Sequence, residues 1–387
     1  MARQFDAAQW AKINETLTES PEAFGFPQRH YGSALIGSFN IRKLGDVENR
    51  SDDTWAFLAR ICRQFDLLAI QEVMDDLSGM HHLATLLGPE FGMIVSDATG
   101  AFPGESGLCE RLVFVFRWSV VRRSHVVSDL TFDRSITIDT IMNNLDDLVA
   151  AKAEYEQKLA EYAAGTRKTQ PAIKMPCFIN FIRQPFVVAF QIMGHPGTEP
   201  YELMAVNAHL HFGDYVSDRR MEFDALMDWI RGRVVENDRV YYPNFLLLGD
   251  LNLDYDSPEA DRERMESRLK SLNNKSGEAV HVNFPFLDQH PAQPEIFRTN
   301  ARRTETFDQI GLFFRDERWP TFDQNQQMGE RPEGPDYGVF DFSKLFAYAL
   351  HDKSFAELSD AQQDALIDLF SHSVSDHLPL WLRLPLP

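Results

Sequence analysis

FLLLGDLNLD, residues 245 to 254, is the stretch from which the rest of this chain can be read. Four apolar residues, Phe245 to Leu248, have the makings of a buried strand, and Gly249 lets the backbone turn where that strand surfaces. Asp250 and Asn252 then project a carboxylate and an amide from a rigid strand end. That pair suits a water or phosphate held near a hard cation. An ordinary turn would use the same Gly, Asp and Asn, so the stretch gains its meaning from similar strand ends elsewhere.

Working outward, SALIGSF (33 to 39) runs into Asn40, Ile41 and Arg42, and DLLAI (66 to 70) stops at Gln71 and Glu72. Glu110 and Arg111 open LVFVF, ELMAVNAHL carries His209 and His211 near its end, Asp308 opens the strand in FDQIGLF, and Asp376 and His377 precede the terminal strand of SVSDHLPLWLRL. Between these strands the pattern predicts helices. Residues 1 to 20 form an amphipathic N-terminal extension, with a loop to residue 32. Residues 53 to 65 place Trp55, Leu58, Ala59, Cys62 and Phe65 on one face, and a further helix spans 78 to 87. Another sets Phe223, Leu226, Met227, Ile230 and Val234 on one stripe, and one more is opened by Ser257 and Pro258. A last helix covers about 360 to 370. LVFVF is expected to pair by a turn with VVRRSHVV, CFINFI and FVVAFQI read as strands, and residues 315 to 340 read as loop-rich.

The segment from about 133 to 175 is an insertion. Its helical pattern, Asp139 to Tyr162, carries Ile141, Leu145, Leu148, Tyr155, Leu159 and Tyr162 near heptad spacing, with Lys152 interrupting the seam. Packing on the body is the default expectation for it; a homodimer contact or a protein partner through the 139–163 helix are the alternatives. Arg167, Lys168 and Lys174 cluster at its far side. No repeat of fixed period and no interdomain linker is evident. The expected architecture is α/β (α+β), layered, with two mixed sheets and one domain over residues 33 to 387.

A chain of 387 residues with 44% hydrophobic content can bury a large core, and its net charge of -20 opposes unspecific adhesion to polyanions. A polyanionic substrate must therefore meet a local basic patch or a metal ion. Cys62, Cys109 and Cys177 are too few for a disulfide framework and have no metal-ligand spacing, which favours a reducing compartment. With no signal-like N-terminus and no apolar run of membrane length, the expected location is cytoplasmic, without a membrane partner.

Collected, the strand-end residues are Asn40, Glu72, Glu110 with Arg111, His209, Asp250 with Asn252, Asp308, and Asp376 with His377. They supply carboxylates for a metal, two histidines, and carboxylates to orient each histidine. No serine nucleophile elbow, GxxxxGK loop or HExxH accompanies them. Phosphoester chemistry with a bound divalent cation follows.

In chain order, SFNIRKLG, LLAIQEV, ERLVFVFR, NAHL, LLGDLN, FDQIGLF and SDHLP resemble the motifs of the endonuclease/exonuclease/phosphatase superfamily. The resemblance covers about Leu35 to Leu384 and implies a deoxyribonuclease I-like fold, a four-layered sandwich with helices outside two mixed sheets. It implies Glu72 as the main metal ligand, with Asn40 and Asp376 beside it, for Mg2+ or alternatively Mn2+. His209 and His377 would flank the scissile phosphate, with Glu110 and Asp308 as their respective carboxylate partners. Asp250 would orient or deprotonate the attacking water, and Asn40, Arg42, Arg111 and Asn252 would contact substrate. A carboxylate on one ring nitrogen fixes the tautomer and favours the imidazolium, which can then donate to a phosphoryl oxygen. His211 and Lys43 receive no role.

Nuclease action on DNA is the first expectation, because SFNIRKLG is close to the corresponding stretch of deoxyribonuclease I. Arg298, Arg302 and Arg303 could form a basic rim or a solvated loop. Met74 and Leu108 stand where that nuclease uses basic and aromatic minor-groove contacts, which counts against minor-groove binding. An inositol polyphosphate phosphatase would show a tryptophan before the Gly-Asp pair, which LLLGDLN lacks. A lipid phosphodiesterase would need an exposed apolar loop, for which Ala101-Phe102-Pro103 is the candidate. A non-catalytic scaffold using the insertion is the reading of another class.

Overall fold

The computed structural model describes residues 4–98, 109–132, 134–171, 174–211, 216–235, 241–253, 263, 267, 271, 280–287, 290, 297–321, 324 and 336–387. Two six-stranded mixed sheets form its centre. The first takes the order β11-β12-β1-β2-β4-β3 from β1 (Ser33–Leu44), β2 (Leu67–Met74), β3 (Phe91–Val95), β4 (Glu110–Arg117), β11 (Tyr337–Val339) and β12 (Leu380–Pro385). The second takes the order β5-β6-β7-β8-β10-β9 from β5 (Val121–Asp129), β6 (Phe186–Ile192), β7 (Tyr201–His209), β8 (Asn244–Asp250), β9 (His281–Asn283) and β10 (Asp308–Phe314). Among the described residues only β1 with β2, and β7 with β8, run parallel.

Alternation along the second sheet explains the layering. Val188, Phe190, Leu246, Leu248, Ile310 and Leu312 share one apolar cluster with the first sheet. Their neighbours Val187, Ala189, Leu247 and Phe313 point the other way, into a second cluster with Phe223, Leu226, Met227, Ile230 and Val234 of α6 (Val216–Val235). A period of two on the strands thus meets a helical stripe outside, and each large side chain so buried contributes roughly 1.5–3 kcal/mol.

Over the first sheet lie α1 (Ala7–Glu19), α2 (Asp52–Cys62), α3 (Ser78–Leu87), α7 (Phe342–His351) and α8 (Asp360–Ser373). α2 starts where Ser51 accepts the Thr54 amide at 3.3 Å, with Asp52 and Asp53 in its first turn at the positive end of the helix dipole. Trp10 packs on Phe57 and Phe346, so the N-terminal helix shares the core of the first sheet. Helix, sheet, sheet and helix make the four layers.

Four expectations need correction. LVFVF and VVRRSHVV do not form a hairpin: β4 pairs with β2 and β3, while β5 pairs with β6 in the other sheet, so the short turn at Trp118 carries the chain across the sandwich. CFINFI is irregular, and Phe178 and Phe181 instead pack tilted against Phe132 and edge-on against each other. The insertion is two helices, α4 (Arg134–Asn143) and α5 (Leu145–Ala163), and no described side chain of either is buried. β11 lies in the stretch expected to be loop-rich, and α7 follows it unforeseen, with Asp341 accepting the Lys344 amide as its cap. The helix expected from Ser257 and Pro258, the Ala101-Phe102-Pro103 loop and Leu108 lie outside the described residues.

Candidate active site

Parallel strands end where antiparallel strands begin, and this topology gathers the polar strand ends on one rim. Asn40, Glu72, His209 and Asp250 lie at the ends of, or late in, β1, β2, β7 and β8, while Glu110 and Asp308 open β4 and β10. In the second sheet His209 is in register with Asp250, and Asp250 with Asp308, so three of these residues form one row across β7, β8 and β10. His377 joins from the turn before β12, held by a bridge to Asn300.

Local backbone geometry aims the side chains. Gly249 has φ of 145°, and a Cβ there would lie 1.8 Å from the Ala208 carbonyl oxygen, so the strand can deliver Asp250 only with glycine at this position. Glu72 occupies a left-handed conformation, φ 59°, where β2 shifts register against β4. Asn252 does the same at φ 49°. Strained non-glycine residues of this kind cost about 1–3 kcal/mol each and persist only where surrounding contacts hold them.

Those contacts are on hand. Asn40 Nδ2 donates to Glu72 Oε1 at 3.2 Å and to Asp250 Oδ2 at 3.1 Å, and the Lys43 amide donates to Glu72 Oε2 at 3.0 Å. The Asn252 amide donates to Asp250 Oδ1 at 3.0 Å, while its Nδ2 donates to the Leu210 carbonyl at 2.9 Å. Ser375 Oγ donates to the Asn40 carbonyl at 2.7 Å and accepts the amides of Arg42 and His377 at 3.1 and 3.2 Å. It pins the exit of β1 to the turn bearing Asp376 and His377.

Each histidine has its own carboxylate. His209 Nδ1 lies 2.9 Å from Glu110 Oε2, and His377 Nδ1 lies 2.8 Å from Asp308 Oδ2. Both Nε2 atoms point at Asp250 Oδ2, at 3.6 Å each. Burial works against charge on His377, but Asp308, Asp250 and Asp376 outweigh it and raise its pKa well above the ordinary value. These three carboxylates thus favour the charged form of the His377 ring. Burial pushes Asp308 up, opposed by the His377 charge and hydrogen bond. Glu110 is also penalised by burial, yet His209 and Arg183 bring it below the usual range.

Glu72, Asn40 and Asp376 form a second group of oxygens. Asn40 Oδ1 and Asp376 Oδ1 are buried without a hydrogen-bond partner. Burial raises Asp376, and the Glu72 carboxylate nearby adds to that, against the pull of His377 and Arg42. Oxygens of this kind, orphaned where a second carboxylate repels, are the donors a hard divalent cation takes. Asp250, Asp308 and His377 also bring ligand atoms within 4.8 Å of one another. There His377 Nδ1 is committed to Asp308 and Asp250 Oδ2 to Asn40, so this trio reads as one hydrogen-bonded pair, His377 with Asp308, facing the Asp250 carboxylate.

The remaining expected residues are placed differently. Arg42 pairs with Asp376 at 3.4 Å. Arg111, one residue beyond Glu110 and so on the opposite face of β4, contacts the Ser96 carbonyl at 3.0 Å and Asp97 at 3.3 Å. Arg302 pairs with Asp364 and Arg303 with Asp341, which neutralises two of the three charges of the expected rim.

The sequence reading missed a supporting layer. Arg183 grips Glu110 with both arms, Nε to Oε2 at 2.7 Å and a terminal nitrogen to Oε1 at 3.0 Å. Glu222 accepts the amides of Ile182 and His211 at 2.6 and 2.7 Å, clamping the chain beside Arg183 and beside His209. Beneath them Gln71 donates to Asn207 at 2.7 Å, and Asn207 donates to the Ile70 and Val113 carbonyls, joining the two sheets through polar contacts. Gln71 and Asn207 carried a signal, being polar within apolar runs. Arg183 and Glu222 carried none.

Similar solved structures include endonuclease/exonuclease/phosphatase family proteins. One from Bacteroides thetaiotaomicron is 12% identical, with 91% of this chain and 97% of that chain covered and a TM-score of 0.45. The catalytic domain of human nocturnin is 13% identical, with coverage of 93% and 96% and a TM-score of 0.43. Among curated proteins, a deoxyribonuclease of Thioalkalivibrio sp. (strain K90mix) is 28% identical over 234 residues, which is 59% of this chain. The match spans about half, 48%, of that relative's length. No family model matches.

Proposed function

We propose that this chain is a divalent-metal-dependent phosphoric diester hydrolase of the endonuclease/exonuclease/phosphatase superfamily, and that its substrate is a nucleic acid, DNA first. The observation that carries the reading is the pair of carboxylate-backed histidines facing one oxygen of Asp250, beside the oxygen cluster of Glu72, Asn40 and Asp376. The likeness to a deoxyribonuclease over 234 residues supports the choice of DNA. Three free cysteines fit a reducing, cytoplasmic setting.

In this reading Asp250 accepts a proton from the attacking water while its second oxygen is held by the Asn252 amide. His377, whose charged form its carboxylate neighbours favour, donates to a phosphoryl oxygen, and Asp308 holds its ring in place. His209, set by Glu110, approaches the phosphate from the other side. Asn252 and Arg42 contact phosphate oxygens, Arg42 after release from Asp376. A divalent cation held by Glu72, Asn40 and Asp376, Mg2+ or alternatively Mn2+, supplies Lewis-acid polarisation of the phosphoryl group. Charge developing on phosphorus is met by fixed donors in a partly dry rim.

The test is incubation of the protein with supercoiled plasmid, single-stranded DNA and RNA in Mg2+, Mn2+ or EDTA, beside His377→Ala and Glu72→Ala. Metal-dependent cleavage lost in both variants supports the nuclease and shows which polymer is preferred. Three intact polymers alongside hydrolysis of a small phosphoester would replace the nuclease with a phosphatase of the same chemistry.

A further inference from the structure

Seven of the twelve large apolar side chains exposed among the described residues fall on α4 and α5, including Ile136 at 60%, Met142 at 62% and Val149 at 59% exposure. Such a density on thirty residues marks a contact surface. α5 is about 28 Å long at 1.5 Å per residue, and Lys152–Glu156 and Glu154–Lys158 pairs at 2.6 and 2.5 Å run along its two flanks. Polar outside and apolar along one seam, it has the form of a helix awaiting another helix.

We infer that α5 pairs antiparallel with α5 of a second copy of this chain. The seam positions Leu145, Leu148, Lys152, Tyr155, Leu159 and Tyr162 are spaced alike from either end, so an antiparallel copy sets every one of them against another. Antiparallel pairing faces Leu145 with the other copy's Tyr162, Leu148 with its Leu159, and Lys152 with its Tyr155. Parallel pairing would instead stack Lys152 on Lys152 in the seam, two like charges in a drying contact.

The ends agree with this direction. Asp146 and Asp147 occupy the first turn of α5, while Arg167 and Lys168 follow its last turn, so an antiparallel partner brings acidic and basic ends side by side. The flanks add no repulsion, since Val149 then lies by Glu156 and Ala151 by Lys158. A single helix pair of this length falls below the ~1,200 Å2 of a stable interface, so Ile136 and Met142 of α4 must join it and the dimer is a weak one.

Sedimentation velocity of the full chain over a wide concentration series tests this. Reversible dimerisation, abolished in Leu148→Glu/Leu159→Glu with an unchanged circular-dichroism melt, is the expected result. Under mild oxidation Leu148→Cys/Leu159→Cys should form a covalent dimer, while Leu148→Cys alone and the wild type, with its own three cysteines, should not. A monomer at every concentration, or a dimer indifferent to the two glutamates, overturns the proposal. Cross-linking by Leu148→Cys alone would do so too, since that is the parallel arrangement.

Discussion

His209 and His377 face one another across a single atom: each Nε2 stands 3.6 Å from Asp250 Oδ2, and each Nδ1 is backed by a separate carboxylate. Two rings so placed share one task. His209→Ala and His377→Ala should each lower kcat by roughly 10²- to 10⁴-fold, the usual range for a lost acid or base. The double variant should fall well short of the product of the two, as for groups acting as a unit. Steady-state kinetics on all three variants decides it, and strictly multiplicative losses would separate the two histidines.

Glu72 meets the Asn40 amide and the Lys43 amide with its two oxygens, so it is fixed before any cation arrives. Glu72→Gln should weaken Mn2+ binding, followed by electron paramagnetic resonance, by at least the ~10–100-fold that losing a supporting group costs a metal site. Unchanged Mn2+ affinity would move the cation elsewhere.

Arg183 is buried, and its fork covers both oxygens of Glu110. Arg183→Met leaves a buried carboxylate short of its partner, and the loss should be about 3–5 kcal/mol in a urea titration. Arg183→Lys keeps the charge but not the two-armed geometry, so it should regain stability more fully than activity. Equal recovery of both would reduce Arg183 to a structural counter-ion.

Gly249→Ala places a methyl on the Ala208 carbonyl in a backbone region that alanine avoids. The strain alone is ~1–3 kcal/mol, and the clash adds to it, so the thermal midpoint should drop sharply. A variant melting like the wild type would show that the strand end can relax.

Burial raises Glu222 to about 7, against the Ile182 and His211 amides, which favour its charge. In the unfolded chain it ionises near the ordinary 4.5. Between those values the unfolded state has lost the proton and the folded state keeps it. Stability is therefore greatest below about 4.5, falls as pH rises towards about 7, and is flat beyond; the total for this group is of order 3 kcal/mol. Chemical denaturation across that range, wild type beside Glu222→Gln, should show the steeper fall in the wild type, since His377, Asp308 and Asp376 titrate in both. Identical slopes would discard it.

Strand ends were legible in the sequence because each combines an apolar run with a polar residue that a strand interior would not tolerate. Asn40, Glu72, His209, Asp250, Asp308 and His377 are all of this kind. What escaped were relations that pattern cannot carry. LVFVF and VVRRSHVV look like a hairpin because a turn joins two apolar runs, and nothing local says that the turn changes sheets. Phe178 and Phe181 mimic a strand while serving an irregular plug. Arg183 lies 73 residues from Glu110 and belongs to no periodic pattern, so only the folded chain introduces them.

β12 lies between β11 and β1 in the first sheet, and His377 and Asp376 immediately precede it. Asn40 thus depends on a hydroxyl 335 residues further along the chain, that of Ser375, to fasten it. Glu110 with His209, and Asp250 beside Asp308, all precede Ser375 in the chain, whereas the His377 half of the centre follows it. On the proposed function, a chain cut before Ser375 loses the clasp on Asn40 together with Asp376 and His377, and its chemistry with them.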